Sequence, residues 1–161
     1  MNKDELSLKI EAYGSAPEAL EAILTRFQAD MWSYKPAPDS WSIKEIVFHL
    51  ADSEVHGYIR CRTALAEPGK TVMAYDQDLW ARTVNYPTRS VKDALELFRL
   101  LRKSTYELLK TLPDSAWSLT MEHSERGTMT LEQWLDTYER HVPGHIQQMY
   151  KVYEAWKRQR A

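Results

Sequence analysis

Apolar residues recur along the chain at intervals of three and four, and four such runs each follow a polar pair of the Ser/Thr-x-x-acid-or-Gln kind. The pairs are Ser15/Glu18, Ser42/Glu45, Ser90/Asp93 and Thr130/Gln133. In such a pair the first side chain accepts from a free backbone N–H at a helix start, and the later one reaches back. Asp93 has the shortest reach. After Ser15 come Leu20, Ile23, Leu24 and Phe27; after Ser42 come Ile43, Ile46, Val47, Leu50, Gly57, Tyr58 and Cys61. After Ser90 come Val91, Leu95, Phe98, Leu101, Leu108 and Leu112, and after Thr130 come Leu131, Trp134, Leu135, Tyr138, Val142, Ile146, Met149, Tyr153 and Trp156. Each set marks the apolar face of an amphipathic helix. No alternating run stands out, so no sheet is expected.

Four long amphipathic helices in one domain spanning residues 1–161 predict an all-α fold, a four-helix bundle. Residues 2–13 add a helical lead-in before Gly14, and Pro36, Pro38 and Asp39 break the chain ahead of the second helix. The connections near residues 66–89 and 113–129 are longer than the roughly 2–8 residues usual between bundle helices. They permit crossovers, and they supply material to roof one end of the bundle.

Composition narrows the function. The net charge is -2, with both signs interspersed, so no basic stripe offers a footprint for nucleic acid. A small-molecule substrate is expected instead. One cysteine, Cys61, excludes an internal disulfide. The charged N-terminus "MNKDELSLKIEAYG" lacks a signal-peptide core, and no apolar run approaches the roughly 18 residues of a membrane helix. These features point to a cytoplasmic protein with no membrane partner. Six tryptophans and nine tyrosines exceed the needs of one small core and point to a homodimer.

The chemistry lies in the histidines. "YERHVPGHIQQMY", residues 138–150, sets His141 and His145 four apart, beside the apolar stripe of the last helix. That spacing lets two ring nitrogens converge on one ion. The competing reading is a pair of satisfied core histidines. Each inward imidazole then needs polar partners for a donor and an acceptor, and the local sequence offers Tyr138 and Gln148. His49 flanks the apolar face of the second helix. With the other two it would form a three-nitrogen set with open positions, the pattern of a catalytic zinc site; nickel or iron would also suit nitrogen donors. His56 follows His49 by seven residues and sits about 10 Å further along the axis. It is expected to be exposed or capping. His123, in the polar turn "MEHSERG", is expected at the surface. Pro143 deletes the N–H that would bond Glu139, which predicts a kink between the two histidines. Gly144 would let a neighbour or substrate approach closely.

The segment "YKPAPDSWSIKEIVFHLADSE" resembles the Trp-Ser-x-x-Glu-x-x-x-His-Leu-x-x-x-Glu stretch of DinB-like proteins of the YfiT type. "NYPTRSVKDALELFRLLR", "GTMTLEQWLDTYERHVPGH" and the trailing "QQM" are also similar to that superfamily, so the resemblance covers about residues 30–150. It implies a four-helix bundle with an unusual crossover topology. It also implies a divalent metal, nickel or zinc first and iron or manganese after them, held by His49, His141 and His145. Some relatives transfer low-molecular-weight thiols such as bacillithiol or mycothiol to electrophiles, and others are labelled metal-dependent hydrolases. The expected activity is therefore activation of a thiol or water for attack on a small electrophile, as an S-transferase or a hydrolase, with a thiol as a candidate cosubstrate. The alternative is a non-catalytic, metal-holding helical protein.

Glu54 falls on the apolar stripe with Leu50 and Cys61. A buried carboxylate is costly unless paired, so it is a candidate catalytic residue, moving a proton or orienting a ligand histidine. An interhelical pair with an arginine such as Arg102 competes with that role. Cys61 reads as a small buried apolar residue. Trp41 is expected to staple the helix start, and Tyr75 and Trp80 to line a pocket or cover the core.

Overall fold

In the computed structural model, which describes residues 2–160, the chain runs α1 (Lys3–Gly14), α2 (Ala16–Leu24), α3 (Ile43–Ala66), β1 (Thr71–Val72), α4 (Gln77–Thr83), α5 (Val91–Leu109), β2 (Thr120–His123), β3 (Gly127–Thr130) and α6 (Leu131–Arg160). It is an all-α bundle in its main mass. Helix α3 packs on α5 and α6, and α1 packs on the same two helices. No described helix is long and apolar enough to cross a membrane.

Three of the four expected helix starts hold. Ser42 Oγ accepts from Glu45 N at 3.2 Å while a Glu45 carboxylate oxygen accepts from Ser42 N at 2.8 Å. Thr130 and Gln133 make the same reciprocal pair, at 3.1 and 2.9 Å. Ser90 accepts from Asp93 N at 3.3 Å. Ser15 is the exception. The chain reaches it from α1 already in helical conformation, its own N–H bonds Glu11 O at 2.9 Å, and its hydroxyl donates back to Ala12 O. No free N–H awaits a cap there. The lead-in is thus a full member of the bundle, capped by Asn2, which accepts from Glu5 N at 2.8 Å.

The expectation of no sheet is corrected. The two long connections meet in a three-stranded sheet of order β1-β2-β3. β1 runs parallel to β2, pairing Val72 with His123, and β2 turns back antiparallel into β3, pairing Met121 with Met129. Strands of two and four residues are too short to show a period. Only β2 alternates, turning Met121 and His123 inward. The first connection also carries α4 and a 3-10 turn at Tyr86–Thr88. Tyr86 stacks on Phe48 at 5.0 Å, and its hydroxyl donates to the Asp52 carboxylate.

Two apolar clusters fill the interior. One gathers α2, the start of α3 and the end of α6, with Leu20, Ile43, Leu50, Phe98 and Met149. The other gathers α1, the end of α3, the start of α6 and the sheet, with Tyr13, Cys61, Met121 and Trp134. Between them in the sequence of each long helix lies a polar layer. Glu54 and Arg102, both fully buried, meet there at 2.9 and 3.1 Å. Arg102 also donates to Tyr13 O at 3.2 Å and Tyr138 O at 3.0 Å, and the Tyr13 hydroxyl donates to Glu54. Four helices are tied at one level.

Candidate metal centre

The histidines lie beside this polar layer, on the side of the first cluster. His49 comes from α3, and His141 and His145 from successive turns of α6. His141 Nε2 is 3.2 Å from His49 Nε2 and 3.1 Å from His145 Nε2. The three donor atoms all fall within 4.8 Å of one another. Residues 92 positions apart in sequence meet because Tyr138, one turn before His141, lies flat against Gly57 on α3. A Cβ at Gly57 would stand 2.5 Å from the Tyr138 ring. The Tyr138 hydroxyl donates to Ser53 O at 3.3 Å, fixing α6 along α3.

Two of the three rings have a polar partner on their outer side. Gln148 Oε1 accepts from His145 Nδ1 at 2.8 Å. That bond puts the proton on Nδ1 and leaves the Nε2 lone pair facing inward. The Tyr75 hydroxyl stands 3.3 Å from His49 Nδ1. Trp41 packs on His49 at 4.7 Å and lies parallel to His145 at 6.3 Å. The His141 Nδ1 is buried without a partner. Burial first, and the neighbouring His145 second, push His49 down to about 3. Burial, then His145 and His49, push His141 down to about 2. Burial also lowers His145, against the raising effect of Gln148.

The set fits a divalent ion. Metal–nitrogen bonds of about 2.0–2.1 Å at angles between octahedral and tetrahedral put donor nitrogens about 2.9–3.4 Å apart. The observed 3.1 and 3.2 Å fall in that range. Lone pairs this close repel unless a cation or a proton lies between them. The lowered pKa values disfavour an imidazolium at His49 or His141, so a proton between these nitrogens would be the N–H of a neutral tautomer.

A cavity of about 480 Å³ opens on one side of the three rings, lined by His49, His141, Ser53, Tyr75, Arg60 and His123. A second, of about 560 Å³, reaches His145 from beside Trp41 and Gln148. The Arg60 guanidinium donates to the Tyr138 hydroxyl at 3.2 Å and to Met73 O at 2.5 Å.

The model of the DinB superfamily matches residues 12–149. The chain belongs to the DinB superfamily. Among curated relatives, a protein from Halalkalibacterium halodurans named "Putative metal-dependent hydrolase BH0277" is 24% identical over 146 residues, 91% of this chain and 85% of that one. The Bacillus subtilis protein named "Putative metal-dependent hydrolase YfiT" is 31% identical over 107 residues, 66% of this chain and 60% of that one. The solved YfiT structure, described as having an unusual four-helix bundle topology, superposes with a TM-score of 0.90 at 23% identity, over 98% of this chain and 90% of that one. The bundle with crossover connections is therefore the superfamily fold.

The other sequence expectations divide. His49, His141 and His145 come together as anticipated. Glu54 makes the Arg102 pair, both its carboxylate oxygens are engaged, and none of its hydrogen bonds among the described residues reaches a histidine. His123 is buried in β2 and lines the 480 Å³ cavity beside the rings, not the surface. The hairpin, invisible to periodicity, carries it in. His56 neither caps nor lies open; its ring stacks on Tyr75 at 4.2 Å and 3°. Trp41 packs against the histidines as well as the apolar cluster. Tyr75 does line the cavity, and Trp80 backs it at 4.9 Å. Helix α6 runs unbroken across Pro143, and a Cβ on Gly144 would meet nothing within 4 Å, so no close approach within this chain explains that glycine. Cys61 is buried as expected, and its thiol is pushed up to about 12 by burial. Arg60 also lines the 480 Å³ cavity. Its spacing of eleven from His49 puts it on the same face of α3, a signal that was readable.

Proposed function

We propose that this protein is a metal-dependent enzyme in which His49, His141 and His145 hold one divalent ion, nickel or zinc before iron or manganese. The reaction is attack by a thiol or water on a small electrophilic substrate, as an S-transferase or hydrolase. The convergence of three Nε2 atoms from two helices, at 3.1 and 3.2 Å, carries this reading. The relatives' names support its coarser part, metal dependence. The chemistry such an ion supplies is Lewis acidity, which lowers the pKa of a water or thiol beside it.

The chain's own residues prepare that position. Gln148 sets the tautomer of His145, so that its Nε2 lone pair and not an N–H faces the centre, and the Tyr75 hydroxyl stands against the outer nitrogen of His49. Trp41 shields one side of the rings from water. Three neutral donors leave a cation's charge uncompensated, which favours an anionic nucleophile at neutral pH. In this reading Glu54 holds the helices at the site's level and moves no proton.

Untagged protein is the material for the test. Elemental analysis is expected to find one divalent metal per chain, or the metal-free protein to take up one equivalent of zinc or nickel. His141→Ala removes that uptake. A wild-type protein that binds neither ion overturns the proposal. A metal-loaded protein inert toward panels of thiols with electrophiles, and toward esters and amides, overturns the enzymatic part alone. We place the protein in the cytoplasm and read it as a homodimer; sedimentation is expected to show twice the chain mass.

A further inference from the structure

The fold treats the buried Arg102 and the half-buried Arg60 unequally. Arg102 has a carboxylate, two backbone carbonyls and a fully closed surround. Arg60 has only neutral partners, the Tyr138 hydroxyl and the Met73 carbonyl. Its Nε–H is buried with no partner. Among the described residues no carboxylate lies within ion-pair distance of it; the ion pairs of the arginines are those of Arg99, Arg102, Arg140 and Arg160. A guanidinium has five donors in a planar fork. Holding a half-buried one beside a cavity, without a counter-charge, is costly unless an anion arrives.

The position of Arg60 gives that cost a use. It lines the same 480 Å³ cavity as His49 and His141. Helical side chains lean toward the N-terminus of their helix, which directs Arg60 back along α3 toward Ser53 and His49. The guanidinium is held by the hydroxyl of Tyr138, the residue one helical turn before His141. Arg126 stands at the same cavity as a second cation. Two acids also border it, Asp76 and Glu125. Asp76 is engaged as the cap of α4, accepting from Leu79 N at 2.8 Å, and Glu125 is exposed.

We propose that Arg60 is the specificity residue of this cavity, taking the anionic end, a carboxylate or similar oxyanion, of a substrate whose reacting atom sits at the three histidines. This rests on the metal-centre reading above and adds a substrate class to it: small molecules with a negative group, in place of neutral electrophiles or thiols. The planar fork of Arg60 matches a carboxylate in two-point contact. Tyr138, already bonded to Arg60 and Ser53, sets its angle.

The test uses zinc-loaded protein and matched probes that reach both points. These are ω-mercaptocarboxylates with two to six methylenes and the mercaptoalcohols of equal length, titrated by calorimetry. At the best-fitting length the carboxylate is expected to bind about tenfold or more tightly than the alcohol, the size of one charge-assisted contact. Arg60→Met is expected to erase that preference while leaving the alcohol's affinity and stoichiometric zinc uptake unchanged; Arg60→Lys restores part of it. Zinc uptake doubles as the check that each variant folds. Equal binding of acid and alcohol by the wild type at every length, or a preference that survives in Arg60→Met, overturns the anion site. Failure of the wild type to take up zinc overturns the metal centre instead, and the two failures are read from separate titrations.

Discussion

Replacing Gly57 by alanine probes the contact that brings His49 and His141 together. In an ordinary helix the change is favourable by about 1 kcal/mol. Here the new Cβ would lie 2.5 Å from Tyr138 Cε1 and 2.7 Å from Cζ. Carbon atoms in contact prefer about 3.5–4.0 Å, so roughly 1 Å of movement is required. The ring cannot swing aside cheaply. Trp134 stacks on it at 4.9 Å, and its hydroxyl is bonded to Ser53 and Arg60. Helix α6 must move instead, at an overpacking cost of about 1–3 kcal/mol. Gly144→Ala supplies the matched control, because a Cβ there meets open space. The helix-propensity gain is common to both variants and cancels, so their stabilities should differ by the overpacking alone, about 1–3 kcal/mol. Urea denaturation of the metal-free proteins measures this. The site gives a second readout. A shift of about 1 Å exceeds the roughly 0.5 Å tolerance of a preorganised constellation, so zinc affinity by competition with a chromogenic chelator should fall about tenfold or more in Gly57→Ala and hold in Gly144→Ala. If the two variants match in both measurements, Tyr138 does not set the register of α6 and the account of how the histidines meet is wrong.

Zinc at about 100 times its dissociation constant should stabilise the wild type by about 2.7 kcal/mol, and His141→Ala should show none of this in thermal melts. The metal-free protein should weaken as pH falls below about 6.5, because the unfolded chain takes up protons there while His49 stays neutral to about 3 and His141 to about 2. The slope from urea midpoints should approach about 1.4 kcal/mol per pH unit for each histidine and be smaller in His141→Asn. Glu54→Gln leaves Arg102 buried without its counter-charge and should cost about 3 kcal/mol or more in urea, while the pH profile of any turnover keeps its shape; a lost acid or base limb would restore the catalytic role. Cys61, buried and with its thiol pushed up to about 12, should react with iodoacetamide only on unfolding.

What the sequence disclosed follows the range of each signal. Ser42, Ser90 and Thr130 work within one turn, and their starts are where the pattern puts them. Ser15 misled because a cap matters only where N–H groups lack carbonyls, and α1 already supplies them. His141 and His145 share a face by local spacing, and His49 is brought to them by an apolar pattern that dictates which faces are buried. His123 and Tyr75 were harder to place. Both arrive on the long connections, whose strands of two and four residues carry no readable period and whose position depends on pairing with each other. The Trp41 contact with the rings likewise depends on tertiary packing, not on the helix it precedes.

The buried Glu54–Arg102 pair has a bearing on the site that neither a stability argument nor a catalytic one supplies. Replacing such a pair by apolar residues often costs nothing, so net stability is a poor reason for its presence. Its partners suggest another. Glu54 lies five residues after His49, and Arg102 donates at 3.0 Å to the carbonyl of Tyr138, three residues before His141. Apolar contacts between helices tolerate a slip, because one leucine ridge serves much like the next. A guanidinium that must meet one carboxylate and two carbonyls does not. The polar layer therefore fixes α3, α5 and α6 along one another, about one turn from where the three imidazoles have to meet. Replacing Glu54, Arg102 and Tyr13 together by leucine, methionine and phenylalanine, so that the buried Tyr13 hydroxyl is not left unpaired, separates the effects: stability should stay within about 1 kcal/mol or rise, while zinc affinity falls as α6 gains freedom along α3. A triple variant that is equally stable and binds zinc as tightly as the wild type would show that the apolar packing and the Gly57–Tyr138 contact set the register unaided.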